Sequence, residues 1–281
     1  MKNKSFTIKI RHPELDSGSH KHSLFGLPRR NFISPRNDAK CAFTLAEVLI
    51  TLAVIGVVAA MTIPTMVANY QKTQYVTQLK KVYTELSRAI KQMMVDEGVE
   101  KVSATDILTH DGVEDYDTAL QRAGNQFLKK YFKVIKDCGS VYPSTCFADD
   151  SKSIDSSFVG NPSCSGYSVI IASGAGICIN LAGTKPGKIV VDINGLNKPN
   201  ISGRDIFAFS FYYDGSLDSV TPECRKGIPN KTTITCSGHN TAEELREFRY
   251  TTNFSGDPCI SSYYGEGCFD KILNDNWKMD Y

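Results

Sequence analysis

The most apolar stretch of the chain occupies residues 43–68 and holds one charged residue, Glu47, and one proline, Pro64. An α-helix of that length is about 39 Å long at about 1.5 Å of rise per residue. This is enough to cross roughly 30 Å of hydrocarbon. The pattern therefore predicts a membrane-spanning helix with a carboxylate near its N-terminal end.

Apolar residues continue beyond this stretch at the spacing of one helix face. They recur every three or four residues, at Val76, Leu79, Tyr83, Leu86, Ile90 and Met93. Gly98 follows as a residue typical of helix ends. We predict one long helix over residues 43–97, with a membrane half (43–68) and an amphipathic half (69–97). The amphipathic half is expected to pack on a globular domain formed by residues 98–281.

The pattern of residues 103–137 predicts mainly helix. Its apolar positions are Leu120, Ala123, Phe127, Tyr131 and Ile135, with a basic flank of Lys129, Lys130, Lys133 and Lys136. We interpret that flank as a solvated helix face in preference to a binding patch.

After Cys138 the periodicity changes to short β-rich runs at 167–172, 176–181, 188–193 and 206–213, separated by turn residues. These runs predict a small antiparallel sheet covered by the long helix, an α+β fold. The tail from Thr221 is expected to be loop-rich and cross-linked, with a short helix near 242–248.

Charge is divided unevenly along the chain. Residues 1–42 contain nine Lys or Arg against three Asp or Glu, whereas the remaining residues contain 23 against 27. A basic segment before a membrane span is retained in the cytoplasm, so the body is expected to be extracytoplasmic. The acidic balance of that body argues against general nucleic-acid binding.

Nine cysteines are present, and one of them, Cys41, precedes the apolar stretch. The other eight, in a translocated domain, indicate a disulfide framework. The absence of Cys-x-x-Cys and of histidines at ligand spacing disfavours a metal site. Among about 105 pairings that eight cysteines allow, we predict the sequential one. Its pairs are Cys138–Cys146, Cys164–Cys178, Cys224–Cys236 and Cys259–Cys268.

At the start of the apolar stretch a small residue, Ala42, precedes the hydrophobic run. In an ordinary secretory signal the small-residue cleavage site follows the hydrophobic run. The residues at this point read Ala42, Phe43, Thr44, Leu45, Ala46 and Glu47. Over residues 40–95 the sequence resembles type IV pilins and type II secretion pseudopilins. Their precursors carry Gly-Phe-Thr-Leu-x-Glu, so this chain has Ala42 where Gly is usual. Pro64, residue 22 counted from Phe43, also matches a proline of many members.

The resemblance implies how the precursor is processed and assembled. Prepilin peptidase would remove a leader of residues 1–42, and the new N-terminus, Phe43, would be methylated. Glu47 would neutralise the N-terminal amine of a neighbouring subunit. Pro64 would let the helix open locally in a filament; the alternative, a proline tolerated in a membrane helix, stays open.

The resemblance also implies partners and a location. The partners are other pilin or pseudopilin subunits, prepilin peptidase, an inner-membrane assembly platform and membrane lipid. The location is the bacterial inner membrane, with a single span and an extracytoplasmic C-terminal domain. A type IV pilus or secretion pseudopilus filament would follow.

One turn-rich segment is a weak candidate for calcium, through Asp192, Asn194 and Asp205. Hard cations take such oxygen ligands, and some secretion pseudopilins bind calcium in an acidic loop. The spacing does not match an EF-hand loop, because its twelfth position is Gly203. We favour an Asx-rich turn and predict no cofactor.

The function predicted from these features is that of a structural filament subunit. The rival hypothesis is a membrane-anchored extracytoplasmic binding protein that forms no filament. An anchored hydrolase is disfavoured, because only His110 and His239 follow the leader and no catalytic motif is visible. We therefore predict that the protein is not an enzyme.

Overall fold

A long helix, α1 (Leu45–Asp96), is the main element of the computed structural model of the protein. The structure describes residues 43–110, 112–161, 165–182, 185–225, 236, 238–252 and 258–281. It comprises two units, residues 1–53 and 54–281, which divide inside α1. The predicted leader, residues 1–42, lies outside the described residues. The long helix expected from the apolar pattern is confirmed.

The second half of α1 is amphipathic, as predicted. Its buried residues are Val76, Leu79, Val82, Leu86, Ala89, Ile90 and Met93. The helix ends where Gly98 adopts a left-handed conformation, with φ of 65°. Gly98 N–H donates to Val95 O at 3.1 Å and Val99 N–H to Met94 O at 2.9 Å. These bonds satisfy carbonyl groups that the helix end would otherwise leave unpaired.

A short helical segment follows α1. It consists of a 3₁₀ turn (Val102–Ala104), α2 (Tyr116–Ala123), a π-helical turn (Gly124–Leu128) and α3 (Lys129–Tyr131). The Asp115 side chain caps α2 by accepting from Thr118 N–H. A β-carbon on Gly124 would lie 2.4 Å from the ring of Tyr167, so glycine permits this close packing.

The prediction that residues 103–137 are mainly helical was therefore wrong at both ends. The last part of that segment is strand β1 (Val134–Gly139), and the side chain of Ile135 is 62% exposed. Leu120, Ala123 and Phe127 are buried, as the stripe predicted. Val134 and Ile135 are β-branched and favour strands, and their pairing with β2 at the sheet edge prevails over the helical spacing of the apolar residues.

The sheet has six strands in sequential, antiparallel order. After β1 come β2 (Tyr167–Ile171), β3 (Gly176–Ala182), β4 (Lys185–Asp192), β5 (Ile206–Phe211) and β6 (Leu217–Asp218). The four predicted β-rich runs correspond to β2 to β5. The two edge strands, β1 and β6, were missed.

Side chains alternate between the two faces of the sheet. Ile177, Val191 and Phe207 are paired across neighbouring strands and belong to the main core with α1. Cys178 and Val190, one register position away, belong to a second cluster. A helix layer on an antiparallel sheet is the α+β fold predicted from the sequence, which is confirmed.

The tail contains more helix than expected. Its helices are α4 (Pro222–Arg225), α5 (Ala242–Thr251) and α6 (Glu266–Asn274). Helix α5 includes the helix predicted near 242–248, whereas α6 was missed. The tail is also cross-linked, as its cysteines indicated, by the disulfides Cys224–Cys236 and Cys259–Cys268.

A third disulfide, Cys138–Cys146, closes the loop after β1. The three bonds coincide with three of the four sequential pairs. Cys178 is also disulfide-bonded, but its predicted partner, Cys164, lies outside the described residues. Loops of about ten residues contribute roughly 2.5 kcal/mol each in the chain-entropy model.

A buried ionic network joins the two larger tail helices to the sheet. Arg246 of α5 donates to both carboxylate oxygens of Asp218, at 2.9 and 2.8 Å. Arg249 Nε lies 3.3 Å from Asp270 Oδ2 on α6. Asp270 is fully buried and accepts no hydrogen bond within the described part of the chain.

Burial raises the pKa of Asp270 to about 8, because loss of hydration outweighs the attraction of Arg249 and Arg246; Asp218 and Glu266 raise it further. A carboxyl whose pKa rises on folding stabilises the native state fully below about pH 4. That contribution is lost as the pH rises towards the native pKa.

We therefore predict that Tm falls between pH 5 and pH 8, and that Asp270→Asn reduces the fall. The slope from this group is at most about 1.4 kcal/mol of unfolding free energy per pH unit. Thermal unfolding of the detergent-solubilised protein across this pH range measures it. Equal pH slopes in the two proteins would show that Asp270 does not titrate in this range.

Candidate functional site

The first turn of α1 is closed by a reciprocal pair of side chains, Thr44 and Glu47. Glu47 N–H donates to Thr44 Oγ1 at 3.2 Å. Thr44 donates to Glu47 Oε2 through both its backbone N–H and its hydroxyl, each at 2.9 Å. This arrangement is a capping box, in which residues at the N-cap and third helical positions satisfy each other's unpaired groups.

The capping box fixes how the Glu47 carboxylate is used. Both hydrogen bonds from Thr44 engage Oε2, and Glu47 Oε1 accepts no hydrogen bond among the described residues. A carboxylate has two acceptor oxygens, so Oε1 remains available for a second donor. Thr44 was not among the predicted site residues, although a threonine three residues before a glutamate at a helix start signals such a box.

The apolar first half of α1 is uncovered. Phe43 is 84% exposed, and exposed large apolar side chains continue to Tyr70. This helix is long and apolar enough to cross a membrane, and its most apolar window is not buried within the structure. Such a surface is stable only in lipid or against other apolar helices.

Pro64 lies within this apolar half, and α1 continues through it. Proline lacks an N–H, so the carbonyl of Ala60 loses its usual donor. On either side of Pro64, the Thr62 hydroxyl donates to Val58 O at 2.9 Å and the Thr65 hydroxyl to Thr62 O at 2.8 Å. Both hydroxyls donate to carbonyls of α1 itself, so neither leaves an unpaired donor on the apolar surface, but neither of them reaches Ala60 O.

Comparison with known families agrees with this geometry. The sequence model of the prokaryotic N-terminal methylation motif matches residues 37–63. A second family model, described as a family of unknown function (DUF6613), matches residues 65–279, more than half of the chain.

The chain belongs to the DUF6613 family. Its N-terminal motif also makes it a type IV pilin-like or pseudopilin-like protein, which confirms the resemblance found in the sequence. No curated protein and no solved structure matches the chain.

The acidic turn of this DUF6613 protein lies between β4 and β5. Asp192 Oδ1 accepts from Asn194 N–H at 3.2 Å, the bond of an Asx turn. Asp205 accepts from Asn200 N–H at 2.8 Å and from Ile201 N–H at 2.6 Å. The predicted Asx-rich turn is thus present, and it brings two carboxylates together.

Several oxygens of this turn are buried without a hydrogen-bond donor in the described residues: Asp192 Oδ2, Asn194 Oδ1 and Asn200 Oδ1. Burial and the charge of Asp205 raise the pKa of Asp192 well above its usual range. Burial raises the pKa of Asp205 to about 6. Orphaned oxygens beside two mutually repelling carboxylates are the donor set that a hard cation takes. Asn200 lies in the same turn-rich run but was not selected, because a sequence does not show that its side-chain oxygen is buried without a donor in the described residues.

Most of the basic flank at residues 129–136 is engaged within the domain. Lys129 pairs with Asp137 at 2.5 Å, and Lys130 lies 3.6 Å from Asp96. Lys136 donates to Thr145 O at 2.8 Å. Contacts within the domain therefore explain three of the four lysines, and no bound ligand is needed to explain them.

Neither His110 nor His239, the two histidines that follow the N-terminal motif, lies in a catalytic arrangement in the described residues. His110 Nε2 is 2.8 Å from Glu114 O, and its ring stands edge-on to Tyr116. His239 stacks on Phe248. Across the part of the chain that the structure describes, no group of three or more His, Cys, Asp or Glu side chains is placed to hold a metal ion.

Proposed function

We propose that this protein is a prepilin-like structural subunit that is cut between Ala42 and Phe43 and methylated on Phe43. It then assembles through α1 into a type IV pilus or secretion pseudopilus. The observation that carries the proposal is the uncovered apolar half of α1, with one carboxylate four residues from the new N-terminus. An inner-membrane platform and prepilin peptidase are its expected partners.

Cleavage creates the charge that gives Glu47 a partner. The new α-amino group on Phe43 is cationic, and both it and a carboxylate are penalised among apolar helices unless they are paired. Because the capping box occupies Oε2, Oε1 has no competing donor among the described residues of its own chain. A neighbour's amine on Oε1 would pair both charges while the helix cap stays intact.

The pairing sets register more than it adds cohesion. A subunit displaced by one helical turn would leave an amine and a carboxylate unpaired in an apolar surrounding, which costs several kcal/mol. Cohesion is supplied by burial of the exposed apolar side chains at about 25 cal/mol per Å² of buried apolar surface. In this proposal α1 anchors the precursor in the inner membrane before it joins the filament.

A second proposal concerns calcium at the turn between β4 and β5. Asp192 Oδ2, Asn194 Oδ1 and Asn200 Oδ1 would hold the ion, and the Asp205 carboxylate would contribute charge. The buried oxygens without donors favour it. A bound cation would offset the repulsion between the two carboxylates and tie the turn to the sheet.

The mature protein is expected to begin at Phe43 and to lack residues 1–42. Intact-mass measurement of membrane-extracted protein would show the loss of the leader and the added mass of one methyl group. Ala42→Leu, which enlarges the residue before the cut, should accumulate as precursor, whereas Ala46→Gly should be processed. A mature form that starts beyond Ala60 would contradict the proposal.

Glu47→Gln should be made, inserted and cleaved normally, yet be depleted from sheared filaments. The loss should be about tenfold or more, equivalent to about 1.4 kcal/mol of register energy. Glutamine preserves the shape of the side chain and the capping box but removes the charge that the amine needs. Quantitative mass spectrometry of sheared fractions measures incorporation.

The matched control is Glu243→Gln, which neutralises an exposed carboxylate on α5, outside the apolar half of α1, and should assemble as the wild type does. Wild-type incorporation of Glu47→Gln would reject the register mechanism. If wild-type cells yield no sheared filaments containing this subunit, the rival anchored binding protein is the better description.

Millimolar calcium should raise the Tm of the EDTA-treated protein by about 5–10 °C at saturation. Asp192→Asn and Asp205→Asn should abolish this shift. The control Asp155→Asn changes a carboxylate in a different, exposed turn and should keep it. No calcium-dependent shift in the wild-type protein would remove the cation from the proposal, and Asx-turn hydrogen bonding would then be the role of these residues.

A further inference from the structure

Charge changes sign sharply along the extramembrane part of the chain. Residues 69–95, the second half of α1, contain five Lys or Arg and one Asp or Glu. Residues 96–117, which follow directly, contain one Lys or Arg and eight Asp or Glu. One molecule therefore carries a basic segment and an acidic segment in sequence, and each is complementary to the other.

The basic residues of α1 form the first of two surfaces, which we name the basic face: Lys72, Lys80, Lys81, Arg88 and Lys91. All but Lys72, which is half-buried, are exposed. Within the described ranges none of the five forms an ion pair. Only Lys80 has a cation–π contact, 5.4 Å from the centre of the Trp277 ring. The cations of this face are therefore not ion-paired within the part of the subunit that the structure describes.

A groove borders the basic face on the side of the sheet edge. Its volume is about 810 Å³, and its charged lining residues are four cations, Lys81, Arg88, Lys91 and Lys133, and one carboxylate, Glu85. Apolar groups also line it: Ala89, Tyr131, Phe132 and Ile171. A groove with a basic and apolar lining suits an acidic segment that also carries an apolar side chain.

The second surface is the acidic segment, residues 96–117. Part of its charge is balanced internally, since Asp96 and Glu97 lie near Lys130 and Glu114 pairs with Arg122. Its other carboxylates in the described residues are exposed and form no ion pair there: Glu100, Asp106, Asp115 and Asp117. Val113, within this segment, is 90% exposed. The segment therefore has the charge and the apolar side chain that the groove accepts.

We propose that the acidic segment of one subunit docks on the basic face of a second copy in the filament. Two different surfaces make such a contact heterologous, and heterologous contacts propagate into open helical assemblies. The proposal rests on the filament function proposed above and extends it by naming a lateral interface between globular domains.

Exposed ion pairs contribute little each, so the contact orients subunits while the apolar helices hold them.

Charge reversal on each surface tests the proposal in the full-length protein. Lys81→Glu/Arg88→Glu reverses the basic face, and Glu100→Lys/Asp106→Lys reverses the acidic segment. Neither Glu100 nor Asp106 makes a side-chain hydrogen bond or ion pair within the described residues. Each double variant should enter sheared filaments about fivefold less than the wild type, because like charges then meet across the contact. A chain with all four substitutions should return to within about twofold, because opposite charges face each other again.

The control is Lys152→Glu, which reverses an exposed lysine that forms no ion pair in the described residues and should assemble normally. Membrane level and protease resistance of each variant establish that it folds. Normal incorporation of both reversal variants beside wild-type filaments would overturn the interface and leave the filament function intact. Loss in both without recovery in the combined chain would reject a second copy as the partner. Absence of wild-type filaments would reject the filament function and this interface together.

Discussion

Burial of one face of α1 on the antiparallel sheet is the interaction on which the rest of the structure depends. Leu79, Leu86, Ile90 and Met93 are fully buried there, and each contributes about 1.5–3 kcal/mol. This packing covers the apolar face of the strands that the helix crosses. It also fixes the direction in which the remaining surface of the helix is presented, including its cations.

The first, apolar half of the same helix is left uncovered by the described residues. One element therefore serves two environments, a protein core along part of its length and lipid or partner helices along the rest. Glu47 is the single charge in the uncovered half, and the capping box with Thr44 engages only one of its oxygens. A helix cap and an intermolecular contact can thus use the same carboxylate without competing.

The globular domain contains several buried carboxyl groups, and their hydrogen-bond partners differ. Asp218 receives two hydrogen bonds from Arg246, so its burial is compensated by a partner. Asp270 has a nearby arginine but accepts no hydrogen bond in the described residues, and its pKa rises. Asp192 also has an oxygen without a donor, beside a second carboxylate. An unpaired buried charge is costly, so such positions are where a proton or a cation has most effect.

The sequence by itself determined the long helix, the central strands and the N-terminal processing motif, because each depends on local periodicity or on contiguous residues. The three observed disulfides also join cysteines that are near in sequence. Only the tertiary structure decided that Ile135 lies in an edge strand, since pairing with β2 overrides local preference there. The sequence already grouped Asp192, Asn194 and Asp205 as one candidate turn, but only the tertiary structure added the buried Asn200 oxygen to it and brought Asp270 to Arg249. Such contacts join residues across turns and between elements, and local periodicity cannot show which distant side chains a folded core will bring together.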